Sequence, residues 1–220
     1  LYQFYNTELK EETFKKMKKS KLKKTDIPSI TQLFTPEWIV RYMVDNSLGR
    51  LWINNYPNSN IIKYLKYYIP EAQQEQTVLN QFKNINQEKK DINPEDIKII
   101  DPCMGSGHIL IYSFELLINI YESKGYSSKD ACVKILENNI YGLDIDNRAY
   151  QLSYFSIMML AKSYDKQIFN KNISPNLYSI NETNKISRDL INFVIANGEN
   201  IENDINYIIN TFRNAKDYGS

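Results

Sequence analysis

Asp101-Pro102-Cys103-Met104-Gly105-Ser106-Gly107-His108 gathers the residues of this chain best placed to do chemistry. A carboxylate closes the β-branched run Ile99-Ile100, two glycines follow in a tight loop, and an apolar segment with helical spacing starts at once. That order predicts a strand–loop–helix unit whose backbone N–H groups and helix N-terminus face the negative end of a ligand. Glycine serves there where φ must be positive or where a Cβ would block the ligand. Asp101 sits against the loop where a ligand's ammonium would lie. Asp144 closes the next predicted strand, 37 positions after Gly107. A strand-end carboxylate at that point accepts both hydroxyls of a ribose. An NAD site would place its acid about 20 residues beyond the glycines and would carry a third glycine. The longer gap, and Leu110 where that glycine would stand, count against NAD.

The neighbouring polar residues have plainer expected roles. Asp146 reads as the N-cap of the following helix. Cys103 reads as a small packing residue rather than a nucleophile. His108, the single histidine, falls in the first helical turn, where the helix dipole disfavours an imidazolium; packing or loop ordering is its expected part. Upstream, Thr35-Pro36-Glu37 reads as a helix start with Thr35 as N-cap and Pro36 at the first helical position, and a helix start can also hold a carboxylate. With Cys103 and Cys132 the only cysteines and no C-x-x-C, neither a metal site nor a disulfide framework is expected.

The elements that must position these residues follow from hydrophobic period. Residues 1–26 read as a polar, lysine-rich helix with a solvated face. Val40, Met43, Val44, Leu48, Leu51 and Trp52 form a 3.6-period stripe expected to face the core. Residues 54–60 form a break rich in turn formers. The span 58–96, punctuated by Pro70 and Pro94, is expected to be a surface insertion. Strands are predicted at 97–101, 140–144 and 175–180. Helices are predicted from His108 to near Gly125, from Ser127 or Ser128 to Asn139, and from Asn147, the last buried on most sides. Residues 182–213 read as helical. The expected organisation is a helical segment 1–57, the insertion 58–96 and an α/β half-domain 97–220.

Composition is that of a core-forming chain with a charged surface: 42% hydrophobic, 24% charged, net charge +1. Nothing in that balance announces a long basic track for nucleic acid. No run reaches the ~18 apolar residues of a membrane span, and a cytoplasmic setting is the default expectation. Because the chain opens at Leu1 and closes at Gly219-Ser220, it is expected to be a piece of a larger protein.

Three segments together carry a resemblance. Gln32-Leu33-Phe34-Thr35-Pro36-Glu37-Trp38-Ile39-Val40 resembles motif X of the gamma-type amino-group DNA methyltransferases, Asp101 to His108 resembles their motif I, and Tyr141-Gly142-Leu143-Asp144-Ile145-Asp146 their motif II. The order X, I, II is that of the gamma arrangement, and the spacers look like those of the large bacterial adenine-specific enzymes of restriction–modification and BREX phage-defence systems. The resemblance implies a Rossmann-like α/β methyltransferase fold represented by its first three strands, with S-adenosylmethionine as cofactor. Thr35 and Pro36 would meet its methionine carboxylate. Asp101, Cys103, Gly105, Ser106 and Gly107 would surround its methionine part, and Asp144 with Ile145 would hold ribose and adenine. The parent activity would be methyl transfer to adenine N6 in double-stranded DNA. The family's catalytic Asn/Asp-Pro-Pro-Tyr/Phe motif does not occur in these 220 residues, so no catalytic residue is assigned and the chain alone is expected to be inactive. The alternatives are a methyltransferase for protein glutamine, RNA or a small molecule, and a non-catalytic scaffold that binds the cofactor. With strand one central in the implied fold, its free edge here is expected to promote self-association.

Overall fold

The computed structural model describes residues 7–17, 35–78, 80–81, 92–184, 186–197 and 201–218. The chain divides into two units, Leu1–Val40 and Arg41–Ser220. The first contains helix α1 (Thr7–Met17), with Lys15 and Lys16 in its last turn. The lysines at 18–24 and the stretch 31–34 lie outside the described residues. Helix α2 (Glu37–Val44) begins in this unit. The Pro36 carbonyl accepts the amides of Ile39 at 2.9 Å and Val40 at 3.2 Å. Pro36 therefore holds the cap position, where its missing N–H costs nothing, and the exposed Thr35 stands one residue outside it.

In the second unit, α2 passes through a five-residue π turn (Asp45–Gly49) into α3 (Arg50–Asn55). This corrects the expected stripe. Val44, Asp45, Leu48, Gly49, Trp52 and Ile53 are buried, whereas Met43 and Leu51 are 46% and 41% exposed. A four-residue step overshoots an α-helical turn by about 40°, and the wide turn absorbs that drift. The inward row thus advances by fours and leaves Met43 and Leu51 outside. Gly49 lets Leu65 seat closely on that row, since a Cβ there would come within 2.9 Å of both Leu65 methyls. Ile61 and Leu65, inside the stretch read as surface, belong to the core.

Strand β1 (Ile99–Asp101) starts two residues later than expected, because Pro94–Asp96 forms a 3-10 turn. The buried Asn139 amide donates to the carbonyls of Pro94 and Ile97, both at 2.7 Å, and so takes Ile97 out of strand pairing. Strands β2 (Ile140–Asp144) and β3 (Asn176–Ser179) complete a parallel sheet in the order β1-β2-β3. Helices α4 (His108–Ser123), α5 (Ser128–Lys134) and α6 (Asn147–Tyr164) make the crossovers. Ser127 caps α5 by accepting the Asp130 amide, and Asp146 caps α6 by accepting the Arg148 amide. Gly125, with φ +88°, follows α4 in the left-handed region.

Register sorts the sheet into two faces. Ile99 pairs with Ile140, Asp101 with Gly142, and Gly142 with Leu177, so these share one face; Ile100, Tyr141, Leu143 and Tyr178 share the other. α4 packs on β1 and β2, and α6 on β2 and β3. The face bearing Ile100 and Tyr178, 63% and 58% exposed, is open. α6 is not buried on most sides: Ala149, Ile157, Met158 and Ala161 turn inward, while Phe155 is 63% exposed. The stretch expected to be helical after β3 is α7 (Arg188–Asn197), α8 (Glu202–Thr211) and the short α9 (Ala215–Tyr218).

Candidate functional site

The loop between β1 and α4 is shaped by its own backbone. The Asp101 carboxylate accepts the Cys103 amide at 3.1 Å, and the Gly107 amide donates to the Met104 carbonyl at 2.7 Å. The Met104 amide reaches the Leu143 carbonyl on β2 at 3.0 Å, which fastens the loop to the sheet. Gly105 and Gly107 take φ of +53° and +82°, conformations closed to most side chains. Nothing lies within 4 Å of where a Gly105 Cβ would stand, so that side of the loop is open. A Cβ on Gly107 would instead press on Ser153 of α6 at 3.0 Å.

Asp144 is the keystone of this arrangement. One oxygen accepts the Gly105 amide at 2.9 Å and the other accepts the Asp146 amide at 2.8 Å. Ser153 donates to the Gly105 carbonyl at 2.7 Å, so β2 holds the peptide before Gly105 and α6 the peptide after it. The expectation that the loop's amides face a ligand is therefore corrected at 103, 105 and 107, whose N–H groups hold the loop in shape. The site presents carboxylates instead. Asp101 is 7% exposed. Burial pushes its carboxyl above the usual carboxylate range; the Cys103 N–H opposes that shift and the Asp144 charge adds to it. A buried anion in this state favours a cationic partner and repels phosphate.

The remaining expected residues divide. Ser106 Oγ and His108 Nδ1 lie 2.7 Å apart, so His108 orders the loop, and its exposure rules out a packing role. Cys103 is exposed rather than packed, and contributes its amide. Ile145 is half-buried directly after Asp144. No group of His, Cys, Asp and Glu able to hold a metal occurs among the described residues. Sequence reasoning missed Ser153 and Gly142. A Cβ on Gly142 would fall 2.5 Å from Met104 Sδ and 2.8 Å from Leu110 and Leu177, so this glycine lets the loop and α4 sit against β2. The motif spacing gave Gly142 no task, and a serine inside an apolar helix carries no signal of its own.

A cavity of about 560 Å³ lies at the far end of α4, where Trp52, Tyr56, Asn119 and Lys124 are among its walls. Asn119, its first wall residue on α4, stands roughly 16 Å along the helix from His108 at the glycine loop. Its aromatic faces already hold a cation of the chain, with Lys124 Nζ 3.6 Å from the Tyr56 ring centre. It is separate from the loop site.

Comparison with known proteins gives the chain its relatives. The family described as N-6 DNA Methylase matches residues 66–217. The adenine-specific methyltransferase BrxX of Escherichia coli is 46% identical over 183 residues, covering 83% of this chain and 15% of that protein. The adenine-specific methyltransferase PglX of Lacticaseibacillus casei is 42% identical over 198 residues, covering 86% of this chain and 16% of that protein. The chain thus spans about one-sixth of the length of these relatives. With the matched region taking in the glycine loop, Asp144 and all three strands, the chain belongs to the N-6 DNA methylase family.

Proposed function

We propose that this chain is the S-adenosylmethionine-binding part of a DNA methyltransferase that modifies adenine N6 in a host-defence restriction–modification system. The observation that carries the reading is a loop open at Gly105 and flanked by two carboxylates, Asp101 and Asp144. Those residues fit a ligand bearing an ammonium and a ribose, and they disfavour a nucleotide phosphate. Asp101 would take the ammonium. Asp144 would accept the ribose hydroxyls on lone pairs left after its two amide bonds, with Ile145 against the adenine. Cys103, Gly105, Ser106 and Gly107 would wall the methionine part. In this reading the three-stranded sheet is the first half of a Rossmann-like methyltransferase fold, and the setting is cytoplasmic.

The bound cofactor supplies a methyl group on an already activated sulfonium, so the protein's task is alignment rather than acid–base chemistry. In this reading the chain's residues fix the cofactor, and the family's Asn/Asp-Pro-Pro-Tyr/Phe motif does not occur among them. The relatives' printed names support adenine as the base modified. A protein of Methanocaldococcus jannaschii named as a type II restriction enzyme and methyltransferase, 27% identical over 131 residues, supports the restriction–modification setting. Calorimetric titration tests the reading. The chain should bind S-adenosylmethionine and its demethylated product, should bind ATP far more weakly, and should transfer no tritiated methyl to DNA by itself. Preferential binding of ATP would overturn the reading.

A further inference from the structure

One region of the second unit is unused by the cofactor site. From Asn46 to Pro70 the sequence contains no acidic residue, where the chain's composition of 26 Asp and Glu in 220 residues would place about three. The same stretch carries Arg50, Lys63 and Lys66 among Tyr56, Tyr64, Tyr67 and Tyr68. Lysines alone usually mark a solvated face of mixed sign. Here the sign is single and the aromatics are interleaved.

The structure makes this stretch a rigid strap. Ile61 and Leu65 plug into the core, which turns Lys63, Tyr64 and Lys66 outward, all exposed. Main-chain groups beyond them are clamped by the π turn of α2–α3. Asn46 donates to the Tyr67 carbonyl at 2.8 Å and accepts the Ile69 amide at 2.9 Å, in the manner of a strand partner. Arg50 donates to the Ile69 carbonyl at 2.7 Å. Asp45, fully buried, accepts the Tyr67 amide and the Tyr112 hydroxyl, each at 2.8 Å. Tyr112 stands one turn beyond His108 on α4, so the strap is tied to the helix that carries the glycine loop. A pre-ordered backbone with outward cations loses little freedom on binding.

We propose that Lys63, Tyr64 and Lys66 form a contact for the sugar–phosphate backbone of double-stranded DNA. The two ammonium groups neutralise phosphates, and the tyrosine hydroxyl and ring suit phosphate and sugar contact. The inference rests on the methyltransferase reading and adds to it the surface of this chain that meets the substrate.

The test is fluorescence anisotropy of a labelled duplex oligonucleotide with the 220-residue chain across a salt series. S-adenosylmethionine affinity is measured on the same samples. Lys63→Gln with Lys66→Gln should weaken duplex binding about tenfold at 0.1 M salt. It should also flatten the slope of log K against log salt by about 1 to 2, at roughly 0.9 per phosphate contact. Lys166→Gln, at an exposed lysine outside the strap, should change neither. Cofactor affinity should be unaltered in all three proteins. Duplex binding that is absent in the parent chain, or unchanged in the double variant, overturns the strap and leaves the cofactor reading standing. Equal loss of binding to vesicles of anionic lipid makes the strap a general anion surface and also overturns it. Loss of cofactor binding in the parent chain would instead count against the methyltransferase reading.

Discussion

The glycine loop and the strap at 60–69 are both held by carboxylates that accept backbone N–H groups, yet they are built on opposite plans. Around the loop the partners are close in sequence or joined through one strand pairing: Asp101 holds Cys103, Asp144 holds Asp146, and Gly105 is reached across β1–β2. Around the strap, Asp45 and Asn46 reach 22 and 23 residues along the chain, and Asp45 reaches 67 residues to Tyr112. The loop combines glycine conformations and strand-end acids, which leave a motif, with bonds from Asp144 and Ser153 that reach 39 and 48 residues to Gly105 and leave none. The strap depends on a π turn and leaves only composition.

The sharpest way to break the loop is from beneath. Gly142→Val would drive methyl groups into Met104, Leu110 and Leu177, where even a Cβ approaches to 2.5–2.8 Å. A loss of about 3 kcal/mol or more in denaturant unfolding is expected, as for a grossly overpacked core, together with loss of cofactor binding. Next in size is Asp144→Ala, which frees the Gly105 and Asp146 amides. It should weaken S-adenosylmethionine ten- to a hundredfold by calorimetry, the equivalent of about 1.5–3 kcal/mol. Asp146→Ala removes the α6 cap and an exposed ion pair with Arg148, costing about 1 kcal/mol of stability with affinity nearly unchanged. Equal losses of affinity in the two variants would move the ribose contact away from Asp144.

Asp101 offers a test of opposite sign. Its carboxyl is pushed above the ordinary value of 3.8, mainly by burial. A raised acid contributes stability that is complete below its ordinary pKa and is lost as pH rises through the raised value. Asp101→Asn keeps the oxygen that receives the Cys103 amide and abolishes that loss. The variant should therefore melt at a higher temperature than the parent at pH 7. The two proteins should converge near pH 3, and cofactor binding should fall about tenfold. The smallest expected effect concerns the open edge and face of the sheet. If β1 recruits a second copy, Ile100→Lys should lower the weight-average mass in sedimentation velocity while leaving cofactor affinity intact.

Much of the loop was legible in the sequence. Strand β2, the start of α4, the cap at Asp146, a cap at one of Ser127 and Ser128, and the positive φ at Gly105 and Gly107 all follow from turn chemistry and hydrophobic period acting over a few residues. The direction of the loop amides was not legible, because nothing in the motif tells that Asp144 reaches back to Gly105. The late start of β1 was hidden for a similar reason: Asn139, some 40 residues on, claims the Ile97 carbonyl that a longer strand would use. Met43 and Leu51 were misplaced because a strict 3.6 period has no room for a π turn. Ile61 and Leu65 escaped notice because two buried residues four apart in a tyrosine- and lysine-rich stretch resemble an exposed turn.

The proposed seat of the cofactor is the open side of Gly105, rather than the cavity at the far end of α4. Titration of isotopically labelled chain with S-adenosylmethionine, followed by backbone amide chemical shifts, separates the two sites directly. Saturable shifts concentrated at 101–108 and 144–146, with 119–124 unmoved, are the predicted result. Shifts centred on Trp52, Tyr56 and Lys124, or no saturable shifts at all, would contradict it.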